Sequence, residues 1–200
     1  TWQTVIPDQR RISKIDVSDD FLHGIELFLA SADSLNRSKL YVNDAIEFAS
    51  YYIAAQADKL YKQALTEDTA HQHLNQAIDL LLNVDKLLAS HPLYRLEEWV
   101  ELARNSGTTP AEKDAYEANA KRLITTWGGF QEDYAARFWS GLIKDYYIPR
   151  LKLYFSKQRG DLDNWEEEWI RTPWHNTTTP FEKPLDMAIE LVQKAKEIKN

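Results

Sequence analysis

Residues 126–150, TWGGFQEDYAARFWSGLIKDYYIPR, decide the fold of this 200-residue chain. From Tyr134 onward, apolar residues recur at helical spacing, so the sequence predicts an α-helix that begins at Tyr134. Pro149 lacks a backbone N–H group and is expected to kink or end this helix. Trp127 precedes Gly128-Gly129, which predicts a tight turn between two helices. An aromatic side chain on such a corner either presents a flat apolar surface to a ligand or neighbour, or fills the domain's own core.

Start and stop signals elsewhere in the chain predict further helices. Thr109-Pro110-Ala111-Glu112 combines an N-cap threonine, a proline at the first helical position and the glutamate of a capping box. His91-Pro92 and Gly107 end helical patterns. No segment alternates in polarity over more than a few residues. The sequence therefore predicts one all-α domain over residues 1–200, an array or bundle of about seven to eight helices with no sheet, with an extended N-terminal segment at residues 1–17.

Composition restricts the possible partners. The net charge is −7, which makes nucleic acid and anionic membrane surfaces poor partners. No apolar run approaches the roughly 18 residues that a membrane span needs, and no signal-peptide pattern occurs at the N-terminus. The chain has no cysteine, so it contains no disulfide and no thiolate metal site. It begins without methionine and reads as a piece of a longer protein.

Several motifs in this stretch resemble the C-terminal all-helical domain of α-N-acetylglucosaminidases, glycoside hydrolase family 89. That family carries a Trp-Gly turn, then Asp-Tyr-Ala, a spaced Gly-Leu and a Tyr-Tyr-x-Pro-Arg run. The corresponding residues here are Trp127-Gly128, Asp133-Tyr134-Ala135, Gly141-Leu142 and Tyr146-Tyr147-Ile148-Pro149-Arg150. The similarity continues through residues 81–104 and 112–128, with a looser likeness over residues 18–65.

The resemblance implies a domain that packs on a catalytic (β/α)8 barrel of the same polypeptide. It also implies that Trp127 and Tyr134 line the cleft that binds terminal α-linked N-acetylglucosamine of a glycan, through indole stacking and a phenol hydrogen bond. The family's two catalytic glutamates lie on the barrel, and this chain shows no βα alternation. We therefore expect no catalytic residue, cofactor or metal in the chain, and no activity from it alone. The family suggests a secreted, periplasmic or lysosomal protein.

The residue pattern alone leaves alternatives open. Trp127 and Tyr134 also fit core aromatics, and the whole chain fits a free-standing helical module that binds a peptide or protein. The loop that carries Gln131 is shorter than in some relatives. A further pocket residue of the family is therefore not assigned to Gln131. The nearest approach to a di-iron motif is Asp20-x-x-His23 and Asp68-x-x-His71, but both lie at helix starts, so no metal site is expected.

Other conspicuous residues are predicted to have structural roles. Gly141 should permit close approach of a helix, and Arg150 is expected to pair with Asp145. The acidic run 166–168 is expected on a solvated helix face. Trp99, Trp139, Tyr146 and Tyr147 are expected to pack in the core or at the barrel interface. Trp165, Trp169 and Trp174 are expected in a covering segment clamped onto the bundle, with a secondary carbohydrate patch as the alternative.

Overall fold

The structure, a computed structural model, describes residues 17–66, 70–130, 133, 135–156 and 161–198. Within these ranges it contains helices and no strand, which confirms the predicted all-α fold. An isolated bridge joins Arg95 to Ser140, where the Leu96 N–H donates to the Ser140 carbonyl at 3.0 Å. Apart from Val17, the extended segment predicted at residues 1–17 lies outside the described residues.

The helices span most of the described chain. In chain order they are α1 (Asp19–Leu29), α2 (Ala32–Leu35), α3 (Lys39–Thr66), α4 (Ala70–Leu88), α5 (Leu96–Asn105), α6 (Pro110–Leu123), a π-helical turn (Ile143–Tyr147), α7 (Ile148–Phe155), α8 (Leu162–Arg171) and α9 (Pro184–Lys196). None of the described helices combines the length and the apolar character needed to cross a membrane. They form two compact units.

One unit comprises the described residues of 15–94 and 178–200, and α3 is its axis. Helices α1, α4 and α9 all pack on α3. Ala45, Ala49 and Ala57 of α3 are fully buried, so their small side chains let the neighbouring backbones approach closely. The buried leucine face of α4 completes the core.

The second unit comprises the described residues of Arg95–Thr177 and contains the motif-bearing stretch. Helix α6 packs on α5 and on α8, and α8 also contacts α7. The predicted capping box is present at the start of α6. The Glu112 N–H donates to Thr109 Oγ1 at 3.2 Å, and the Thr109 N–H donates to Glu112 Oε2 at 3.0 Å.

The helix that the sequence predicted from Tyr134 begins only at Leu142. Tyr134 itself lies outside the described residues, and residues 136–139 have no helical backbone. Gly141 has φ +88°, a conformation that a right-handed helix cannot contain, so the helix has to start after it. The prediction was wrong because helical spacing of apolar residues does not report a positive φ at the glycine within it.

The π-helical turn accommodates Pro149. In a regular α-helix the proline ring would collide with the carbonyl of Asp145, four residues earlier. The wider turn removes this constraint, and the Ile148 N–H donates to the carbonyl of Ile143, five residues earlier. The helix therefore continues through Pro149 as α7, and the distortion expected at the proline is placed in the turn before it.

Gly141→Ala should lower the free energy of unfolding by about 2–4 kcal/mol, because it combines a positive φ with overpacking. An added Cβ would lie 2.7 Å from Cζ2 of Trp174 and 3.1 Å from the Leu96 Cβ. Gly24→Ala in α1 is the matched control, since no atom lies within 4 Å of its added Cβ. That control should gain about 0.5–1 kcal/mol of stability. Urea unfolding followed by circular dichroism measures both, and an unchanged Gly141→Ala midpoint would contradict the packing described here.

Candidate functional site

Trp127 stands on the corner that follows α6. The Gly129 N–H donates to the Thr126 carbonyl at 3.0 Å, which closes a turn with Trp127 and Gly128 at its tip. Gly129 has φ +135°, a conformation that glycine adopts without strain. The Trp127 side chain is 58% exposed, so it is not a core aromatic of the described chain.

Of the two residues predicted to bind substrate, the structure describes only Trp127. Tyr134 and Gln131 lie outside the described residues, so the role of Tyr134 stays a prediction. Its neighbour Asp133 is described and is 1% exposed. Asp133 has φ +52°, the left-handed conformation that few residues other than glycine adopt.

The buried guanidinium of Arg150 organises the interior of the unit that carries this corner. Arg150 of α7 is 1% exposed, and its Nη2 donates to Asp133 Oδ1 at 2.7 Å. Its Nη1 donates to Glu166 Oε1 of α8 at 2.6 Å and to the Tyr146 hydroxyl at 3.0 Å. The Tyr146 hydroxyl donates in turn to the same Glu166 oxygen at 2.9 Å. The guanidinium carbon lies 4.9 Å from the Tyr146 ring centroid and 5.8 Å from that of Tyr147, within cation–π range.

The cluster formed by Asp133, Arg150, Glu166 and Tyr146 contains two carboxylates and one cation. Burial raises the pKa of the Asp133 carboxyl to about 6, although the charge of Arg150 opposes this rise. The direction follows from the geometry, because Arg150 is shared with Glu166 and Asp133 Oδ2 has no hydrogen-bond partner among the described residues. Burial also raises the pKa of the Tyr146 phenol well above its usual range, so this hydroxyl stays neutral and donates.

Two sequence predictions about this cluster were wrong. Glu166 was expected on a solvated face but is fully buried, while Glu168 is exposed and Glu167 pairs with Arg122 and Arg171. A signal for this burial was present, since Glu166 lies four residues from both Leu162 and Ile170 on the apolar face of α8. Arg150 pairs with Asp133 and Glu166, not with Asp145, as had been expected.

Asp145 instead holds Trp174. Its Oδ2 accepts a hydrogen bond from the Trp174 indole nitrogen at 2.9 Å. The indole then lies against Gly141, which explains why this position has no side chain. Gly141 does permit a close approach, but the nearest group is this tryptophan from a non-helical segment, and Leu96 at the start of α5 is the nearest helical residue.

A second buried ion pair, on α6, holds the tryptophan-rich segment formed by residues 165–174. Lys121 Nζ lies 3.2 Å from Glu117 Oε1, and it donates to the Trp169 carbonyl at 3.0 Å and the Thr172 carbonyl at 2.5 Å. Glu117 also accepts the Trp174 N–H at 2.5 Å. The rings of Trp165 and Trp169 lie 5.5 Å and 4.7 Å from that of Tyr146. These contacts confirm that the segment is clamped on the helices.

An apolar surface extends along α5 and α6. Between the two helices lies a groove of about 330 Å³, and the Trp99 indole nitrogen beneath it donates to the Ala120 carbonyl at 2.8 Å. The groove is lined by Trp99, Leu102, Ala103, Ser106, Tyr116, Asn119, Ala120 and Leu123. Beyond the end of α6, Trp127 and Phe130 are also exposed. The groove is the candidate interaction surface of this unit.

Comparison with known proteins identifies the family. Residues 7–194 match the family model described as Alpha-N-acetylglucosaminidase (NAGLU) C-terminal domain. The chain belongs to this family. The human α-N-acetylglucosaminidase is 33% identical over 146 residues, which cover 68% of this chain and 19% of the human protein. The family inferred from the motifs in residues 126–150 is therefore confirmed.

Solved structures show the same fold. The family 89 glycoside hydrolase from Clostridium perfringens, in complex with 2-acetamido-1,2-dideoxynojirmycin, matches with a TM-score of 0.78 at 22% identity. The match covers 94% of this chain and 25% of that one. A complex of a family 89 enzyme from the same organism with PUGNAc gives a TM-score of 0.76 at 23% identity, covering 92% and 24% of the two chains. The chain thus spans about a quarter of the length of these two structures, and the likeness shows a shared fold.

Arg150→Met should lower the free energy of unfolding by about 3–5 kcal/mol, because it leaves two buried carboxylates without a cation. Arg171→Ala is the matched control, since the Arg171 side chain is 75% exposed and pairs with Glu167 at the surface. Loss of that pair should cost less than about 1 kcal/mol. Chemical unfolding of both variants measures the contrast, and similar losses would show that Arg150 does not organise the interior.

Asp133 should make the free energy of unfolding fall as the pH rises from about 4 to about 6. In this window folded Asp133, with its pKa raised to about 6, keeps a proton that the unfolded chain has released at the ordinary value of 3.8. The stabilisation is complete below the lower value and lost above the higher one, and it amounts to roughly 3 kcal/mol. Urea unfolding of the wild type and of Asp133→Asn across this range isolates the contribution. A difference between them that is independent of pH would contradict the raised pKa.

Proposed function

We propose that this chain is the C-terminal helical domain of an exo-α-N-acetylglucosaminidase, and that Trp127 forms part of one wall of the cleft for terminal α-linked N-acetylglucosamine. The observation that carries the proposal is the exposed indole of Trp127 on a closed turn, in a chain of this family. A flat indole stacks on the apolar face of a pyranose ring. Tyr134, in the adjoining part of the loop, would add a phenol hydrogen bond to a sugar hydroxyl or to the acetamido group.

The chemistry of hydrolysis belongs to another part of the polypeptide in this proposal. Glycoside hydrolysis needs two carboxyl groups that flank the scissile bond. Asp133 and Glu166 are the two acidic residues of the cluster around Arg150. Both are fully buried, and each forms an ion pair with Arg150. They are therefore held away from any glycan. The domain would contribute binding and shape to the cleft, while a catalytic barrel contributes the acid and the nucleophile.

The exposed apolar side chains support the proposal that a partner domain packs on this unit. Leu102, Tyr116 and Leu123 are exposed along the groove between α5 and α6, and Trp127 and Phe130 extend the apolar surface beyond α6. The relatives continue for about three quarters of their length outside the matched region. We take the catalytic barrel of the same polypeptide as the domain that covers part of this surface and leaves the Trp127 edge open to substrate.

A free-standing interaction module is the second candidate. The groove between α5 and α6 favours it, because an amphipathic peptide helix also fits a groove of this kind. The two candidates differ in the parent reading frame. Several hundred residues with βα alternation before this chain would support the glycosidase, and a native start near Thr1 would support the module.

Substitution of the two cleft residues in the full-length enzyme tests the glycosidase proposal. Tyr134→Phe removes one hydrogen bond, worth roughly 0.5–1.5 kcal/mol, so kcat/KM on an aryl α-N-acetylglucosaminide should fall about threefold to tenfold. Trp127→Ala should cost more, because the loss of the stacking surface also misplaces the sugar. Both variants should keep a cooperative melting transition, since the exposed Trp127 supports few core contacts.

The matched control is Phe21→Ala. Phe21 is an aromatic residue of α1 with 46% exposure, outside the Trp127 corner, and its loss should leave kcat/KM unchanged. If Trp127→Ala and Phe21→Ala give the same kinetics, Trp127 does not contact the sugar. If Trp127→Ala collapses the melting temperature and preserves the kinetics, Trp127 is a structural residue.

A further inference from the structure

A polar pocket lies between α5 and the non-helical segment that follows α8. Its volume is about 580 Å³, which is within the usual range for small-molecule sites. Helix α5 contributes the carboxylates of Glu97 and Glu101, and the segment contributes Trp174, His175 and Asn176. All of the described residues that line the pocket belong to the second unit, so one compact unit builds it. The proposed cleft uses none of these side chains.

Trp174 forms a fixed wall of this pocket. Its backbone N–H donates to Glu117 Oε1 at 2.5 Å, and its indole N–H donates to Asp145 Oδ2 at 2.9 Å. Farther along the segment, Lys144 Nζ donates to the Thr177 carbonyl at 3.0 Å and to the hydroxyl of the same residue at 2.7 Å. These contacts hold the segment at both ends of the part that lines the pocket. The wall is therefore in place before a ligand arrives, which lowers the entropy cost of binding.

The pocket carries an excess of negative charge. Arg104 is the arginine that lines it, and its Nη1 donates to Asp114 at 2.9 Å and to Glu117 at 2.5 Å. These two carboxylates balance its charge, so Glu97 and Glu101 set the sign of the potential inside the pocket. A phosphate, a sulfate or an acidic sugar would be repelled here, whereas a neutral ligand would not.

We propose that this pocket binds a neutral pyranose residue of a glycan. The indole of Trp174, which is partly exposed, offers an apolar surface to the C–H face of the sugar ring. Sugar hydroxyls both donate and accept hydrogen bonds, so they match the carboxylates of the pocket and the amides of Asn105 and Asn176. The Asn176 amide donates to Glu97 at 3.3 Å, so these two groups are close enough to hold adjacent hydroxyls. The inference rests on side chains of this chain alone and does not depend on the proposed function.

The direct test follows the Trp174 indole N–H in the 200-residue chain by ¹H–¹⁵N NMR. Trp174→Phe identifies its resonance among those of the seven tryptophans. The probes are the methyl glycosides of galactose, glucose and N-acetylglucosamine, each added up to about 20 mM because a single pyranose should bind with a Kd of about 1 mM. At least one glycoside should move the resonance along a saturating curve. If none of the three moves it, the proposal is overturned.

An acidic sugar tests the charge of the pocket. The uronic acid of the glycoside that binds best keeps the ring and adds one negative charge. It should bind at least about tenfold more weakly, because it faces Glu97 and Glu101. Equal binding of the two sugars would overturn the assignment of a neutral ligand.

Two exposed side chains of α5 test the lining without disturbing the core. Glu101→Ala and Asn105→Ala each remove hydrogen bonds to the sugar, and the loss at Glu101 should raise Kd about tenfold because its carboxylate is charged. Glu168→Ala is the matched control, since this exposed carboxylate of α8 does not line the pocket. Circular dichroism should give the same melting temperature for all three variants. If Glu101→Ala and Glu168→Ala bind the glycoside equally well, Glu101 does not contact the sugar and the proposal fails.

Two further measurements distinguish this pocket from the proposed cleft and from a covered surface. Trp127→Ala removes the indole of the proposed cleft and should leave the response of the Trp174 resonance unchanged. If the response disappears in that variant, the sugar binds at the Trp127 corner and not in this pocket. The full-length enzyme, labelled with ¹⁵N only at tryptophan, should show the same response to the same glycoside. A response that is present in the 200-residue chain and absent from the full-length enzyme overturns the site, because the rest of the polypeptide then covers it.

Discussion

The buried guanidinium of Arg150 is the interaction on which the motif-bearing unit depends. It joins the loop at Asp133 and α8 at Glu166, which lie 17 and 16 residues away in sequence, to the adjacent π-helical turn at Tyr146. A charge removed from water is tolerated only where partners occupy its donors, and here two carboxylates and two aromatic rings surround it. Burial of its carboxyl, with a smaller contribution from the nearby charge of Glu166, raises the pKa of Asp133.

Pro149 determines the backbone geometry that positions the Arg150 guanidinium. Because the proline cannot accept the geometry of a regular helix, the preceding turn widens, and the wider turn carries Tyr146 and Tyr147. Both aromatic rings face Arg150, which follows directly in α7. The Tyr-Tyr-x-Pro-Arg run is therefore one structural device, in which the proline shapes the turn, the tyrosines enclose the charge and the arginine binds the loop.

A second buried pair, Lys121 with Glu117, stabilises α6. Burial lowers the pKa of Lys121, and three acceptors compensate: Glu117 and the carbonyls of Trp169 and Thr172. These contacts hold the tryptophan-rich segment against α6, just before that helix ends in the Trp127 turn. The corner thus follows a helix that is fixed on both its α5 and its α8 sides, which suits the role proposed for Trp127 in the cleft.

The sequence by itself determined the helical class, the capping box of α6, the turn at Trp127 and the family, because these depend on local spacing and on a contiguous motif. It did not determine where the helix after Trp127 begins, since apolar spacing does not report the positive φ of Gly141 or the packing of the distant Trp174 against it. Nor did it identify the partners of Arg150. Asp145 lies closer in sequence than Asp133 or Glu166, but the indole of Trp174 occupies it. Pairing between buried charges depends on which side chains meet in space, and only the tertiary structure decides that.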